Sequence, residues 1–428
     1  MKPMGPVPPW FGGEEGMLLI GGCGAASLVD EAGDTPLFVY DMAIVEAQVR
    51  RFRDAMPPAV HLHYAIKANP YAPLLARMTG LVDGFDIASG GELAMALDAG
   101  MAPDRISFAG PGKRDDELSA AIHAGVTINL ESEGEARRAI AVARRIGKVA
   151  RLAVRVNPDF DLKGSGMRMG GGAKPFGVDA DRAAALARMV IDAGADWRGW
   201  HIFAGSQNLD PMAIMEAQAA TIDLAARLSQ AAGAAPPLVN LGGGFGLAYF
   251  PGDERLDIRP IGVALASALE ALPPILADSL FAIELGRWLV GESGVYLTRV
   301  VDVKTSQGER FAVVDGGLHD GAQLCGGRHG TGRVVGEVEH DAGGAAYKRS
   351  DKQALAQYVA TGCLNGTFYA SAQEQLDAVR GLCGSLDPAF LARAAVYARG
   401  RGYMKDMPAL LLAVLAGRDG ALLEQVFA

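Results

Sequence analysis

Between residues 60 and 286, short apolar runs alternate with alanine-rich segments whose apolar positions recur at helical spacing. The runs read VHLHYAIKA, VDGFDIAS, RISFAGP, VTINLES, RLAVRVN, WRGWHIFAG, PLVNLGGG and LFAIELG. Segments such as GGELAMALDAG, RDDELSAAIHAG and EGEARRAIAVARRIG lie between them. Alternating β and α elements imply a parallel sheet, and eight such units imply a closed (β/α)8 barrel rather than an open doubly wound sheet. A further helical pattern over 42–55 predicts a helix that leads into the barrel.

The flanks read differently. Residues 17–40 and 287–318 look like short strands with Gly and Asp turns, which predicts one β domain built from both sides of the barrel. Residues 319–344 are glycine-rich and read as a linker. After 345 come four amphipathic helical patterns with no strand between them. Ser371 and Asp387 are placed as N-caps, and Pro408 sits at a helix start. The expected organisation of this α/β chain is therefore an N-terminal part of the β domain (1–36), the barrel (37–286), an incomplete return of the β domain (287–320), a linker (321–344) and a small all-α helical-repeat segment (345–428).

Composition narrows the function classes. The 428 residues are half apolar and 21% charged, with 56 glycines and few aromatics, which suits a compact α/β enzyme. A net charge of −9 argues against a chain built throughout to hold nucleic acid. Cys23, Cys325, Cys363 and Cys383 have neither zinc spacing nor a paired framework, so no metal site is expected and a reducing cytoplasm fits. The opening MKPMGPVPPWFGGEEG is proline-broken and acidic, unlike a targeting peptide, and the run MLLIGG is too short to span a bilayer.

A barrel of this kind carries its chemistry at the carboxyl ends of its strands. Those ends supply Lys67, Asp86 with Ser89, Asn157, Ser206 with Gln207, the glycines Gly242, Gly243 and Gly244, and Glu284 with Arg287. A lysine at the end of HLHYAIKANP is ordinarily a solvated strand end. If it is instead desolvated, its amine becomes a nucleophile able to form a Schiff base. The glycines in NLGGGFG leave backbone N–H groups free to cradle a phosphate that Arg287 could neutralise, although a Gly triplet is also a common turn. Glu284 ends an apolar strand, where a lone charge is costly, so a cationic partner is expected. A protonated pyridine nitrogen would serve, and so would Arg287 as a structural ion pair. Lysine, phosphate cradle and buried carboxylate together describe the needs of pyridoxal 5'-phosphate.

The motifs YAIKANP, FDIASGGEL, NLESEGE, RVNPDF, KPFGVD, HIFAGSQ, NLGGGFG, ELGRWLVGESG and VVDGGLHD, in this order, resemble the pyridoxal-phosphate-dependent decarboxylases of the diaminopimelate, ornithine and arginine type, with an alanine-racemase-like barrel. The likeness spans about residues 15–320 and is nearest to the decarboxylases associated with the exosortase A system. It implies decarboxylation of a polar or basic amino acid, often by a homodimer. Lys67 would be the Schiff-base lysine, and Asp86 would lie at the cofactor. Ser206, Gly242, Gly243 and Gly244 would hold the phosphate, with Arg287 nearby, and Glu284 would hold the pyridinium proton.

Two departures qualify the implication. The family's ring-stacking histidine is replaced by Phe203, whose aromatic ring can still stack. His201 matches a neighbouring histidine and is expected to support packing. After VVDGGLHD the family's Cys-Glu-Ser-type and Gly-Ala-Tyr motifs are not found, so catalysis is expected to be impaired or lost. Residues 345–428 instead resemble the opening helices of the TROVE module of bacterial Ro proteins, which bind small structured RNAs. With nine Lys and Arg against eight Asp and Glu from residue 341 onward, that tail carries no basic stripe. An RNA-binding protein with a passive barrel, and an inactive hybrid, are the competing readings.

Overall fold

The computed structural model of the protein describes residues 8–316, apart from 15, 163, 165, 166, 169 and 251. The predicted linker and the helical segment 345–428 lie outside the described residues. Among the described residues, those up to Leu297 belong to one compact unit and those from Thr298 onward belong to a second.

All eight apolar runs become strands of one parallel sheet. In chain order they are Val60–Ala65, Gly84–Ile87, Ile106–Phe108, Thr127–Leu130, Arg151–Asn157, Asp196–Ile202, Leu238–Asn240 and Leu280–Leu285. Each pairs with the next, and the eighth pairs with the first, so the sheet closes into a barrel. The expected entry helix is Met42–Ala55, capped by the Asp41 carboxylate, which accepts from the Ala43 N–H. Ser89 and Ser132 cap the helices after the second and fourth strands in the same way.

Cross-strand register sorts the side chains. Paired residues of neighbouring strands share a face. Leu62, Tyr64, Phe85, Ile128, Leu152, Val154, Trp200, Val239, Phe281 and Ile283 fall on one face and are fully or almost fully buried. That face meets the surrounding helices. The opposite face is unusually polar for a barrel core: His63 pairs with Gly84 and Glu284, and His201 pairs with Arg155 and Asn240.

The sixth strand reaches this arrangement through an irregularity. Trp197 faces Leu152, yet Gly199 faces Ala153, so one extra residue is accommodated between them. Gly199 has φ +105, and a Cβ there would lie 1.9 Å from the Leu238 carbonyl oxygen. Only glycine meets both demands.

The flanking segments need one correction. Residues 17–40 do not read as strands throughout. Gly12–Glu14, Met17–Ile20 and Cys23–Gly24 form a small antiparallel sheet, but Ala25–Ala32 is a helix. AASLVDEA holds strong helix formers with apolar residues at helical spacing, and Gly33 at φ 92 closes the helix through its N–H to the Val29 carbonyl. Leu37–Tyr40 then pairs antiparallel with Gly294–Leu297, beyond the short helix Arg287–Val290. Segments from both sides of the barrel thus share a sheet, as the strand pattern implied. In the second unit, Val300–Ser306 and Glu309–Val314 form a hairpin whose turn residues Gln307 and Gly308 both have positive φ.

Replacing Gly199 with alanine is expected to destabilise the protein by about 2 kcal/mol or more, from left-handed backbone strain plus the carbonyl clash. Urea unfolding should show a lower midpoint at unchanged slope.

Candidate active site

Lys67 sits in a single helical turn, Ile66–Ala68, directly after the first strand. The turn is fixed from both sides. The Tyr64 hydroxyl donates to the Asn69 carbonyl at 3.0 Å, and the Asn69 side-chain oxygen accepts from the Tyr71 N–H at 3.0 Å. The lysine side chain is exposed, so of the two readings of this position the structure has the solvated strand end rather than the desolvated amine. It stands at the open mouth, and its charge acts on Glu92 and Glu284.

The glycine triplet is required by close approach rather than by a simple turn. A Cβ on Gly243 would lie 1.9 Å from the Glu284 carbonyl oxygen. One on Gly242 would lie 2.8 Å from both the Ile202 carbonyl oxygen and the Phe203 ring, and one on Gly244 would lie 3.1 Å from the Gly205 carbonyl oxygen. The loops after the sixth and seventh strands are also tied together. Asn208 donates its N–H to the Gly244 carbonyl, and Gly246 donates to the Asn208 carbonyl, each at 2.8 Å. Phe203, Ser206, the three glycines and the end of the eighth strand are therefore gathered in one place. Gln207, next to Ser206, is held at φ 59, with its side chain bonded to the Leu247 backbone at both ends. A non-glycine residue in that conformation marks a loop held against strain. Among the described residues the N–H groups of Gly243 and Gly244 have no hydrogen-bond partner.

Glu284 is buried inside the barrel. His201 Nε2 lies 3.0 Å from its carboxylate, a charge contact whose ring N–H is off the line of a good hydrogen bond. Asn240 donates to the same carboxylate at 3.2 Å, while its side-chain oxygen accepts from the Gly242 N–H at 2.9 Å. One amide thus joins the acid to the glycine loop. Burial alone would raise the Glu284 carboxyl, but His201, then Lys67 and Arg155, outweigh it and hold the group well below the usual carboxylate range. The alternative of a Glu284–Arg287 ion pair is corrected: Arg287 is exposed and has no ion pair among the described residues. His201, expected only to support packing, stands against the acid.

Asp86, one residue before the end of the second strand, is buried, and neither carboxylate oxygen has a hydrogen-bond partner. His63 Nδ1 stands 3.5 Å from it. Beyond these, Arg155 pairs with Glu131 at 3.0 Å and lies over the Phe176 ring at 5.2 Å. Glu131 also accepts from the N–H groups of Gly177 and Gly110. Lys113 pairs with Glu135 at 2.7 Å. Sequence reasoning missed His63, Asn240, Arg155 and Glu131. For the first three the signal was present, because each is a polar residue at alternating positions inside an apolar run.

A family model described as "Pyridoxal-dependent decarboxylase, pyridoxal binding domain" matches residues 42–291. The chain belongs to this family. Its cofactor is pyridoxal 5'-phosphate. The L-glutamyl-[BtrI acyl-carrier protein] decarboxylase of Niallia circulans is 36% identical over 291 residues, covering 67% of this chain and 68% of that protein. The diaminopimelate decarboxylase of Methanothermobacter thermautotrophicus is 35% identical over 315 residues, covering 72% of each. Among solved structures, the diaminopimelate decarboxylase of M. jannaschii superposes with a TM-score of 0.67 at 25% identity, covering 72% of this chain and 74% of that one. The Helicobacter pylori enzyme complexed with L-lysine gives 0.62 at 29% identity, covering 69% and 74%. Among the described residues of this decarboxylase-family chain, no helix is long and apolar enough to cross a membrane.

A carboxyl depressed as Glu284 is adds stability above its unfolded value, 4.5, and gives it up as pH falls through the folded value. Glu284→Gln should therefore be less stable than the parent by about 1–3 kcal/mol at pH 7. Chemical unfolding across pH should show that gap narrowing below pH 4.5.

Proposed function

We propose that this chain decarboxylates an amino acid with a polar or basic side chain, using pyridoxal phosphate held at the barrel mouth. The observation that carries the reading is the junction of Glu284, through Asn240, with the Gly242–Gly244 loop, with the Lys67 charge acting on the same acid. The residues fit the cofactor. The glycine loop leaves two backbone N–H groups unpartnered where a phosphate needs donors, and any Cβ there would collide with neighbouring backbone. The buried carboxylate suits a protonated ring nitrogen.

When bound, pyridoxal phosphate supplies an electron sink for the pair left on Cα as carbon dioxide departs. The chain's own residues divide the remaining work. Lys67 offers the amine that attaches the cofactor, and its exposure leaves it accessible to an incoming substrate amine. Ser206 and the three glycines bind the phosphate, with Arg287 as the nearby cation. Phe203 lies against the Gly242 turn, where its ring can pack on the cofactor. Glu284, kept ionised by its neighbours, holds the proton at the ring nitrogen. Asp86 supplies a second carboxylate beside the lysine turn.

The side-chain class rests on the diaminopimelate decarboxylases among the relatives and on the likeness to the exosortase-associated members. Turnover is limited by the lack of the Cys-Glu-Ser-type and Gly-Ala-Tyr motifs in the sequence after VVDGGLHD. A homodimer is the assembly that the family likeness supports. RNA binding would belong to residues 345–428 alone. Salt-dependent binding of a structured RNA by the full chain would establish it as an added activity, and a flat titration at low salt would remove it.

Borohydride reduction of the protein with pyridoxal phosphate should place one adduct on Lys67, read by peptide mass spectrometry. Lys67→Ala should lose that adduct, and carbon dioxide release from diaminopimelate, ornithine, arginine or lysine should fall by about a thousandfold or more. An adduct retained in Lys67→Ala would sink the assignment.

A further inference from the structure

Within the polar interior of the barrel, one residue has no place in the reading above. His63 lies on the first strand, four residues before Lys67, and its side chain is 8% exposed. Its ring packs on the second strand where only glycine leaves room: a Cβ on Gly84 would lie 3.0 Å from His63 Nε2 and 2.6 Å from the Arg105 carbonyl oxygen. His63 pairs in register with Gly84 on one side and Glu284 on the other. Ala65, two residues closer to Lys67, pairs with Asp86. The histidine is thus seated between two buried carboxylates, one on each neighbouring strand. Asp86 is the more exacting of the two, because both its oxygens are buried and have no hydrogen-bond donor. An isolated buried carboxylate is costly and takes up a proton unless a cation stands near it. The His63 ring, 3.5 Å away, is the cation within reach.

We infer that His63 is a positioning residue, which in its protonated form holds the Asp86 carboxylate in place and presents it to a protonated amine or cofactor group at Lys67. The inference rests on the cofactor reading of the site. The unsatisfied oxygens of Asp86 then have a purpose: they are acceptors awaiting a donor that arrives with the cofactor or the substrate amine. The titratable groups facing His63 are Asp86 and Asp83 on the second strand and its approach, Glu284 on the eighth, and His61 on its own strand, 6.5 Å away between ring centroids. Burial alone would discharge the ring, but Asp86, with Glu284 and Asp83, outweighs it, so the His63 proton is held above the ordinary histidine range. The stabilisation is present below about pH 6.5 and is lost as pH rises through the raised folded value.

Two measurements on the full chain test this. In the protein without added cofactor, the His63 ring resonances should titrate above 6.5, and in Asp86→Asn the midpoint should fall below it. A midpoint unmoved by Asp86→Asn overturns the proposal. In the loaded protein, His63→Asn should still form the Lys67 adduct but bind pyridoxal phosphate about tenfold more weakly at neutral pH, with the pH dependence of its visible absorbance displaced from the parent's. An absorbance profile identical to the parent's overturns the proposal, because a merely structural histidine would move stability and leave that profile in place. A parent protein that takes no adduct at Lys67 while His63 still responds to Asp86 would refute the cofactor reading and support the histidine–carboxylate pair.

Discussion

The constraint on which this structure turns is the cost of ionised groups inside a closed barrel. A (β/α)8 core is ordinarily filled by branched apolar side chains, and here the interior face carries histidine, arginine, asparagine and three carboxylates instead. Each carboxylate is matched. Glu284 has His201 and Asn240, Glu131 has Arg155 and two backbone N–H groups, and Asp86 has His63. The apolar contribution comes from the other face, where Trp200, Tyr64 and Phe85 are wholly buried against the helices. The fold thus separates its two tasks by strand parity. Outward positions stabilise, and inward positions carry charge that exists for chemistry.

Asn240 shows how the two halves of the site are kept in step. Its amide nitrogen reaches the acid and its amide oxygen reaches the glycine loop, so neither end moves without the other. Together with the crossed bonds between Asn208, Gly244 and Gly246, this makes the mouth a preorganised surface rather than a set of independent loops.

The barrel was legible in the sequence because eight apolar runs, separated by helical periodicity, leave few other solutions. The chemistry at strand ends was legible for a simpler reason: Lys67, Glu284 and the glycines each break the local pattern. The helix Ala25–Ala32 was not, since an eight-residue amphipathic segment between glycines resembles a strand and turn as much as a helix. The apolar run left open whether Lys67 is a solvated strand end or a desolvated amine; the strand ends two residues earlier, at Ala65, and the lysine falls on the turn beyond. Pairings such as His201 with Glu284 bring together residues 83 positions apart, and no local pattern encodes them. Only closure of the barrel sets that distance.

The irregularity at Gly199 gives the sixth strand a role separate from its composition. Upstream of it, Trp197 shares a face with Leu152, on the apolar side. Had the strand run on in regular register, with Arg198 paired to Ala153, His201 would have aligned with Val156 and Trp200 with Arg155, exchanging the inside of the barrel for the outside. The identity of the acid's partner is therefore set by a count. The same chain paired without that bulge would hold every functional side chain in its sequence and still present an indole where the imidazole belongs.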